Sequence, residues 1–324
     1  MRTANDIGQG TPSAPGLWAI TCLFNPTGLR ARPANFKRFR SNLRLPLAAI
    51  ELAFDAPFAL GASDADILIQ IRGGDVMWQK ERLLNIAIQA LPPDCTQVLW
   101  IDADILVPDP DWPRRVSEAL EAVPVLQPFT LVSHLHPEEP GVSVGNSRST
   151  MAELKRGGSF AAVLSSTLNR ASGPSSGHVW AARREVLADH GLYDGCIIGG
   201  GDTAFLCAVT GEFHSVIELH QMTNAQADRY LRWARPLRER VEGKVDVLQG
   251  EIEHLWHGRL GDRKGGARHA GLSTHNFDPY RDIDIHESGA WKWASNKPEL
   301  HRYVRTYFSA RNEDSLPVKP SAHA

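Results

Sequence analysis

The sequence predicts an α/β protein built on a doubly wound, mostly parallel sheet flanked by helices, and three observations predict it. Short, largely apolar runs recur at 18–24, 48–54, 67–71 and 96–107, each followed within two residues by Pro, Gly, Asn or Asp. Runs of that kind suit strands buried on both faces. Segments with apolar residues at helical intervals lie at 30–44 and 78–91. Strand, helix and strand in this order call for right-handed parallel crossovers.

Taken in order, the first strand ends at Asn25, Pro26, Thr27 and Gly28, and the basic segment after it places Phe36, Phe39 and Leu43 on one helix face. After the strand at 67–71 comes Arg72, Gly73, Gly74 and Asp75. An amphipathic helix follows, with Met77, Leu84, Ala87, Ile88 and Leu91 on one side. The run 96–107 is bounded by Pro92 and Pro93 before and Pro108 and Pro110 after, and reads as the central strand. A further strand is expected at 124–132. The stretch 134–177 is rich in Ser, Gly and Pro and reads as loop apart from a short segment near 161–164. Helices are expected at 203–209, 229–240 and 298–310.

Composition bounds the answer. A chain of 324 residues, 42% hydrophobic and 22% charged, buries a sizeable core and has the balance of a soluble globular protein. The formal net charge of −2 argues against a general nucleic-acid binder. No apolar run approaches the roughly 20 residues needed to cross a bilayer. Residues 1–16 lack an apolar signal-like core and are expected to be disordered. Cys22, Cys95, Cys196 and Cys207 lie in or beside apolar segments without metal-like spacing, so they read as reduced thiols of a cytoplasmic protein.

The central run carries the chemistry. Asp102 and Asp104 interrupt it one residue apart, and alternation along a strand puts both on one face, near the carboxyl end where ligands of open α/β sheets bind. Two carboxylates there suit a hard divalent ion that completes its shell with phosphate oxygens. The same spacing at 64/66, 109/111 and 282/284 falls in turns and polar segments and reads as caps and solvated turns.

Two other stretches are suggestive. Gly199, Gly200 and Gly201 precede Asp202. An N-cap alone needs fewer glycines, so backbone approach to a ligand is expected there, with Asp202 as general base toward an acceptor hydroxyl. Ile252, His254 and Trp256 alternate as in a strand, which sends His254 and His257 to opposite faces, so that one reaches a given metal, unless the strand breaks between them. Gly258 at the strand end favours His257, with His254 the alternative. A histidine added to two carboxylates favours Mn²⁺ somewhat over Mg²⁺.

The strand ending in Asp102 and Asp104, the block from His178 through Gly191, Leu192, Tyr193 and Asp194 to Asp202, and the later histidine strand together resemble GT-A fold nucleotide-sugar glycosyltransferases. The likeness is to the catalytic domains of polypeptide N-acetylgalactosaminyltransferases and β-1,4-galactosyltransferases. It implies a catalytic domain at 17–260 and a C-terminal extension at 261–324. It also implies a metal on the nucleotide diphosphate held by Asp102, Asp104 and His257. Phe24, Asn25 and Arg72 would lie near the nucleotide, Lys80 and Arg82 would neutralise phosphate, and Gly200 and Gly201 would line the acceptor side. A UDP-sugar donor is the commoner choice in that family. The chain departs from the pattern in having Asp202 where Gly-Gly-Glu is common. The alternatives are a haloacid-dehalogenase-like phosphatase, which the Leu106 position and the want of a separate lysine and acidic pair disfavour, and a non-catalytic carbohydrate-binding or assembly protein. A nucleotidyltransferase would need a Gly-rich, Arg-containing loop after the first strand, which is not present.

Overall fold

In the computed structural model, which describes residues 14–139, 141–168 and 173–316, the first apolar runs become β1 (Leu17–Phe24), β2 (Leu47–Ala53), β3 (Ile67–Arg72) and β4 (Gln97–Ile101). β1 pairs in parallel with β2 and β4, and β3 closes the edge beside β2. Every residue of β2 is buried, which is why its sequence does not alternate. Its one acid, Glu51, accepts bonds from Ala59 N, Leu60 N and Gln70 Nε2. The crossovers α1 (Ala31–Asn42) and α2 (Lys80–Gln89) cover opposite faces of the sheet.

The central run differs from expectation. β4 stops at Ile101, and Ile105 N donates to Asp102 O at 3.2 Å to turn the chain. The short β5 (Ile105–Leu106) then joins a second sheet. Asp102 and Asp104 therefore sit in a turn between two sheets rather than on one strand. α3 (Trp112–Ala122) leads to β6 (Val125–Gln127) and β7 (Leu131–Leu135). One strand was expected across these last two; Pro128, which has no N–H to continue a ladder, divides them between the sheets.

The stretch read as loop also holds structure, namely β8 (Ser143–Arg148), α4 (Thr150–Lys155) and α5 (Phe160–Ser166). Two of the serines that made it look irregular are caps: Ser149 and Ser159 accept from Ala152 N and Ala162 N. β9 (Val179–Arg183) runs antiparallel between β4 and β6. α6 (Arg184–Leu187), α7 (Gly201–Thr210), α8 (Phe213–Leu219) and α9 (Asn224–Val241) follow, then β10 (Val245–Val247) and β11 (Glu251–His254). The remainder comprises α10 (Ala267–Thr274), the hairpin β12 (Ile283–Ile285) and β13 (Trp291–Trp293), and α11 (Pro298–Ala310).

The large sheet has the order β10-β6-β9-β4-β1-β2-β3 and the second β5-β11-β7-β8. The α/β class with a mostly parallel sheet flanked by helices is thus what the chain adopts. One core lies between the large sheet and α2, α7, α9 and α11; Trp100, Trp180 and Phe205 meet edge to face within it. The other lies beneath α1 and α3 and reaches β7 and β11. The expected disorder of 1–16 falls mainly outside the described residues, although Ala14 is buried in the second core. Among the described residues no helix is long and apolar enough to cross a membrane.

Candidate functional site

The turn after β4 is fixed from two sides. Asp102 N donates to His178 O at 2.8 Å, just before β9, and Leu255 N donates to Asp104 O at 2.8 Å, just after β11. The backbone thereby sends the two carboxylates to different partners. Lys80, the first residue of α2, brings its Nζ to 2.6 Å from Asp102 Oδ1 and to 3.2 and 3.0 Å from the two oxygens of Asp202. Burial pushes the Lys80 ammonium toward neutrality, but Asp102 and Asp202 outweigh it and hold its pKa well above that of an ordinary lysine. Burial likewise opposes charge on Asp102, and Lys80 with His178 reverses the effect, leaving its carboxyl below the usual range. Burial raises the Asp104 carboxyl above the usual range, and His257 and Arg263 oppose this only in part.

Asp104 faces histidines. His257 Nε2 lies 3.0 Å and His254 Nε2 3.9 Å from Asp104 Oδ2, and the two imidazole nitrogens are 2.8 Å apart. The other carboxylate oxygen, Asp104 Oδ1, is buried and has no hydrogen-bond partner. These three ligand atoms lie within 4.8 Å of one another. A buried carboxylate oxygen with nothing to accept, beside two imidazole nitrogens, fits a divalent metal, and the oxygen-and-nitrogen donor set suits Mn²⁺ better than Mg²⁺. Around them stand His134, whose Nδ1 is 3.0 Å from His254 Nδ1, and His178, whose ring is 4.8 Å from that of His254. Burial lowers His178 to about 3 and His134 to about 4, and holds His254 well below the ordinary value. All three are neutral at neutral pH.

The opposite-face expectation holds only for an unbroken strand, and β11 ends at His254. Beyond it the alternation lapses and both rings converge on Asp104. The Gly-rich block also differs from a simple cap. Gly199 and Gly200 take φ of +85° and +103°, which L residues rarely adopt, and Gly200 caps α7. Gly201 is required for a different reason: a Cβ there would lie 2.1 Å from Glu81 Oε1. Asp202 falls in the first turn of α7 rather than at its cap, where the helix dipole favours its charge.

The segment after 260 supplies one wall; its sequence leaves Arg263, Lys264 and Arg268 open between a basic loop closing over the diphosphate and a solvated basic linker, and assigns the residues beyond them no chemistry. Glu313 accepts from Arg32 Nε at 2.6 Å and from Arg311 Nε at 2.5 Å. Arg311 and Arg268 both donate to Tyr307 Oη, at 2.8 and 2.9 Å. Arg263 is buried, with Nη2 at 3.0 Å from His257 Nδ1 and 2.5 Å from His257 Nε2 and with Nε unpartnered. Burial first, then Arg311, lowers its pKa to about 10. Trp78 packs edge to face on Phe24 and stacks on Phe308.

One pocket is therefore lined by Phe24, Lys80, Asp102, Asp104, Gly200, Asp202, His254 and His257, all singled out in the sequence. Four expected residues lie elsewhere. Asn25 closes its own loop through two bonds with Leu29. Arg72 ends the edge strand β3 and donates to Ala56 O at 3.0 Å. Arg82 is two residues from Lys80 on α2, and the 3.6-residue repeat turns it away. It bonds Gly289 O at 2.6 Å and pairs with Asp194. Gly201 lies behind the pocket, against Glu81. His134 and His178 also line the pocket, and neither is a candidate site residue from the sequence. The signal for His134 is the parallel register that pairs its Cα with that of His254.

No family model matches the chain, and no curated protein matches it. Among solved structures it is similar to glucosyl-3-phosphoglycerate synthase from Mycobacterium tuberculosis in complex with Mn²⁺, UDP and phosphoglyceric acid, over 87% of this chain and 88% of the other, at 14% identity and a TM-score of 0.40. It is also similar to the catalytic domain of Drosophila β1,4-galactosyltransferase 7 in complex with xylobiose, over 72% of this chain and 64% of that one, at 10% identity and a TM-score of 0.28. A third is 4-diphosphocytidyl-2C-methyl-D-erythritol synthase from Anaerococcus prevotii, over 72% and 87%, at 10% identity and a TM-score of 0.28. At such identities they carry nothing about substrate.

Proposed function

We propose that this protein is a metal-dependent glycosyltransferase that moves a sugar from a nucleoside diphosphate, a UDP-sugar by preference, to an acceptor hydroxyl. The observation that carries the reading is the convergence, in one pocket, of the Asp102/Asp104 turn, the His254/His257 pair and the Lys80–Asp202 ion pair. Mn²⁺ bound by Asp104, His257 and His254 would offset the charge that develops on the departing diphosphate. Asp102 sits beside that position but is engaged by Lys80, so its part is to hold Lys80 at the pocket floor. The buried guanidinium of Arg263 and that of Arg268 face the same space and suit phosphate oxygens.

On the other side, the positive-φ glycines bring backbone to the pocket wall beside Asp202. Asp202 is an anionic hydrogen-bond acceptor for a sugar or acceptor hydroxyl; as a general base it would first have to release Lys80, which contacts both of its oxygens. Phe24 and Trp78 supply an aromatic wall for a nucleobase or sugar face.

The test is calorimetric titration of UDP and GDP with and without Mn²⁺, on the parent chain and on Asp104→Asn and His257→Ala. UDP binding that depends on Mn²⁺ and is lost in both folded variants supports the reading. Phosphate release from simple phosphomonoesters, with no nucleotide binding, would replace it with the phosphatase.

A further inference from the structure

We propose that His134, backed by Ser147, is a positioning residue that presents His254 to the metal through Nε2. The site thereby becomes an Asp104–His254–His257 centre that takes a transition ion in preference to Mg²⁺. The inference deepens the metal-dependent reading above and rests on it for the presence of an ion. It follows from hydrogen-bond bookkeeping in a chain of three side chains on three adjacent strands.

β11 and β7 pair in parallel with His254 opposite His134, and β7 and β8 pair with Ser147 opposite Val132. That register lines up Ser147 Oγ, His134 and His254. Ser147 Oγ is 3.2 Å from His134 Nε2, and His134 Nδ1 is 3.0 Å from His254 Nδ1. His254 Nε2 then points at the cluster formed by His257 Nε2 and Asp104 Oδ2. His134 and His254 are 8% and 5% exposed, so water does not supply partners that the protein withholds.

A neutral imidazole carries one N–H, so each ring donates through one nitrogen and accepts through the other. Two arrangements satisfy the chain. In the first, Ser147 donates to His134 Nε2, His134 Nδ1–H donates to His254 Nδ1, and His254 Nε2 carries the remaining proton toward the cluster. In the second, His254 Nδ1–H donates to His134 Nδ1, and His134 Nε2–H donates to Ser147 Oγ. Only the second leaves a lone pair on His254 Nε2. A cation in the cluster would meet that lone pair and offer the unpartnered Asp104 Oδ1 a partner as well. His134 is then the acceptor that holds the ligand's proton and its ring orientation, as a carboxylate or carbonyl does for other metal-bound histidines. Two imidazole nitrogens and one carboxylate favour Mn²⁺, Co²⁺ or Zn²⁺ over Mg²⁺, which prefers oxygen donors.

The test uses the full chain without nucleotide, so it is independent of sugar transfer. Co²⁺ binding is followed by its visible absorption and Mn²⁺ binding by calorimetry, with Mg²⁺ as competitor, for the parent, His134→Phe, His134→Asn and Ser147→Ala. Phe keeps a ring and removes the acceptor; Asn returns an oxygen close to the position of Nδ1. The expected result is a loss of about 10–100-fold in affinity for His134→Phe, recovery to within about threefold of the parent for His134→Asn, and a smaller loss for Ser147→Ala. Parent-like affinity in His134→Phe overturns the proposal, and so does equal loss in the Phe and Asn variants. Mg²⁺ competing on equal terms overturns the centre itself. Should neither His134 variant fold, Ser147→Ala decides: weakened Co²⁺ binding with an altered spectrum supports the relay, and an unchanged titration overturns it. If the relay holds while UDP fails to bind, the metal centre stands and the transferase reading falls.

Discussion

The ammonium of Lys80 lies 2.6 Å from Asp102, the first of the two aspartates that mark the site, with the lysine side chain almost wholly buried. Its other oxygen contacts are to Asp202, so one cation joins the end of the central strand to the first turn of α7. Removing a buried charge from its partners leaves them uncompensated, so Lys80→Met is expected to destabilise the fold by about 3 kcal/mol. Urea unfolding checks this. The double variant Lys80→Met/Asp102→Asn should recover part of the loss, because it removes one of the stranded charges.

The two aspartates are expected to behave differently toward metal, although they are one residue apart. Asp104 has the unpartnered oxygen and the histidine neighbours, whereas Asp102 is occupied by Lys80. Asp104→Asn should weaken Mn²⁺ binding by more than the roughly 10–100-fold typical of an outer partner, and Asp102→Asn by about tenfold or less. Calorimetry on the two variants, without nucleotide, measures both. Equal loss would place the ion between the two carboxylates.

How far these residues were legible follows from what sequence periodicity encodes. The apolar run before Asp102 announces a buried strand, and its position in the alternating pattern announces a strand end at a ligand edge. The turn at 102–104 was not legible, because a run of buried residues looks the same whether it stays in one sheet or passes into a second, as Ile105 does. Lys80 was visible as a cation, yet its pairing with Asp202 depends on contacts across 122 positions. His134 was hidden more deeply. It stands at the start of a Ser- and Gly-rich stretch, and only the parallel pairing of β7 with β11 brings it to His254. The glycines before Asp202 stand out in the sequence, but the need for Gly201 comes from the Glu81 carboxyl, which no local pattern announces.

That contact makes a paired prediction. A methyl group at 201 would meet Glu81 Oε1, Cδ and Cγ at 2.1–2.8 Å inside a filled core. Gly201→Ala should cost about 1–3 kcal/mol, and Glu81→Ala in the same chain should return most of it. Thermal melts of the two single variants and the double variant give the coupling; additive effects would mean that the strain lies in the backbone instead.

Glu81 also sets a pH slope. Burial, the largest influence, raises its pKa from 4.5 to about 8 against the pull of Lys80. The folded state therefore holds a proton that the unfolded state releases near the ordinary carboxyl pKa. Between those two values the native chain binds more protons, so Glu81 lowers stability progressively as pH rises from about 4.5 through about 8. Glu81→Gln should accordingly raise Tm more at pH 8.5 than at pH 5, with the difference growing across that interval. A constant difference across the range would mean that Glu81 is ionised in the folded protein throughout.

Arg263 is the group whose charge opposes a metal ion most directly. Its guanidinium lies against the edge of His257, between Nδ1 and Nε2, and one of its nitrogens, Nε, is buried without an acceptor. A divalent ion at His257 Nε2 would stand next to this charge, and His257 would have to turn its Nδ1–H toward Glu313 Oε1, now 3.9 Å away. Arg263 must therefore withdraw when metal enters alone, whereas a diphosphate would give it oxygens to bind and remove the conflict. Arg263→Gln should strengthen Mn²⁺ binding in the absence of nucleotide by about tenfold, since roughly 1.4 kcal/mol is a modest share of the repulsion between close, poorly solvated charges. The same variant should weaken UDP binding in the presence of Mn²⁺, because a charge-assisted phosphate contact is lost. Opposite signs in the two titrations are the expected outcome. Weakening of both would make Arg263 a structural support of His257 rather than a phosphate ligand held in reserve.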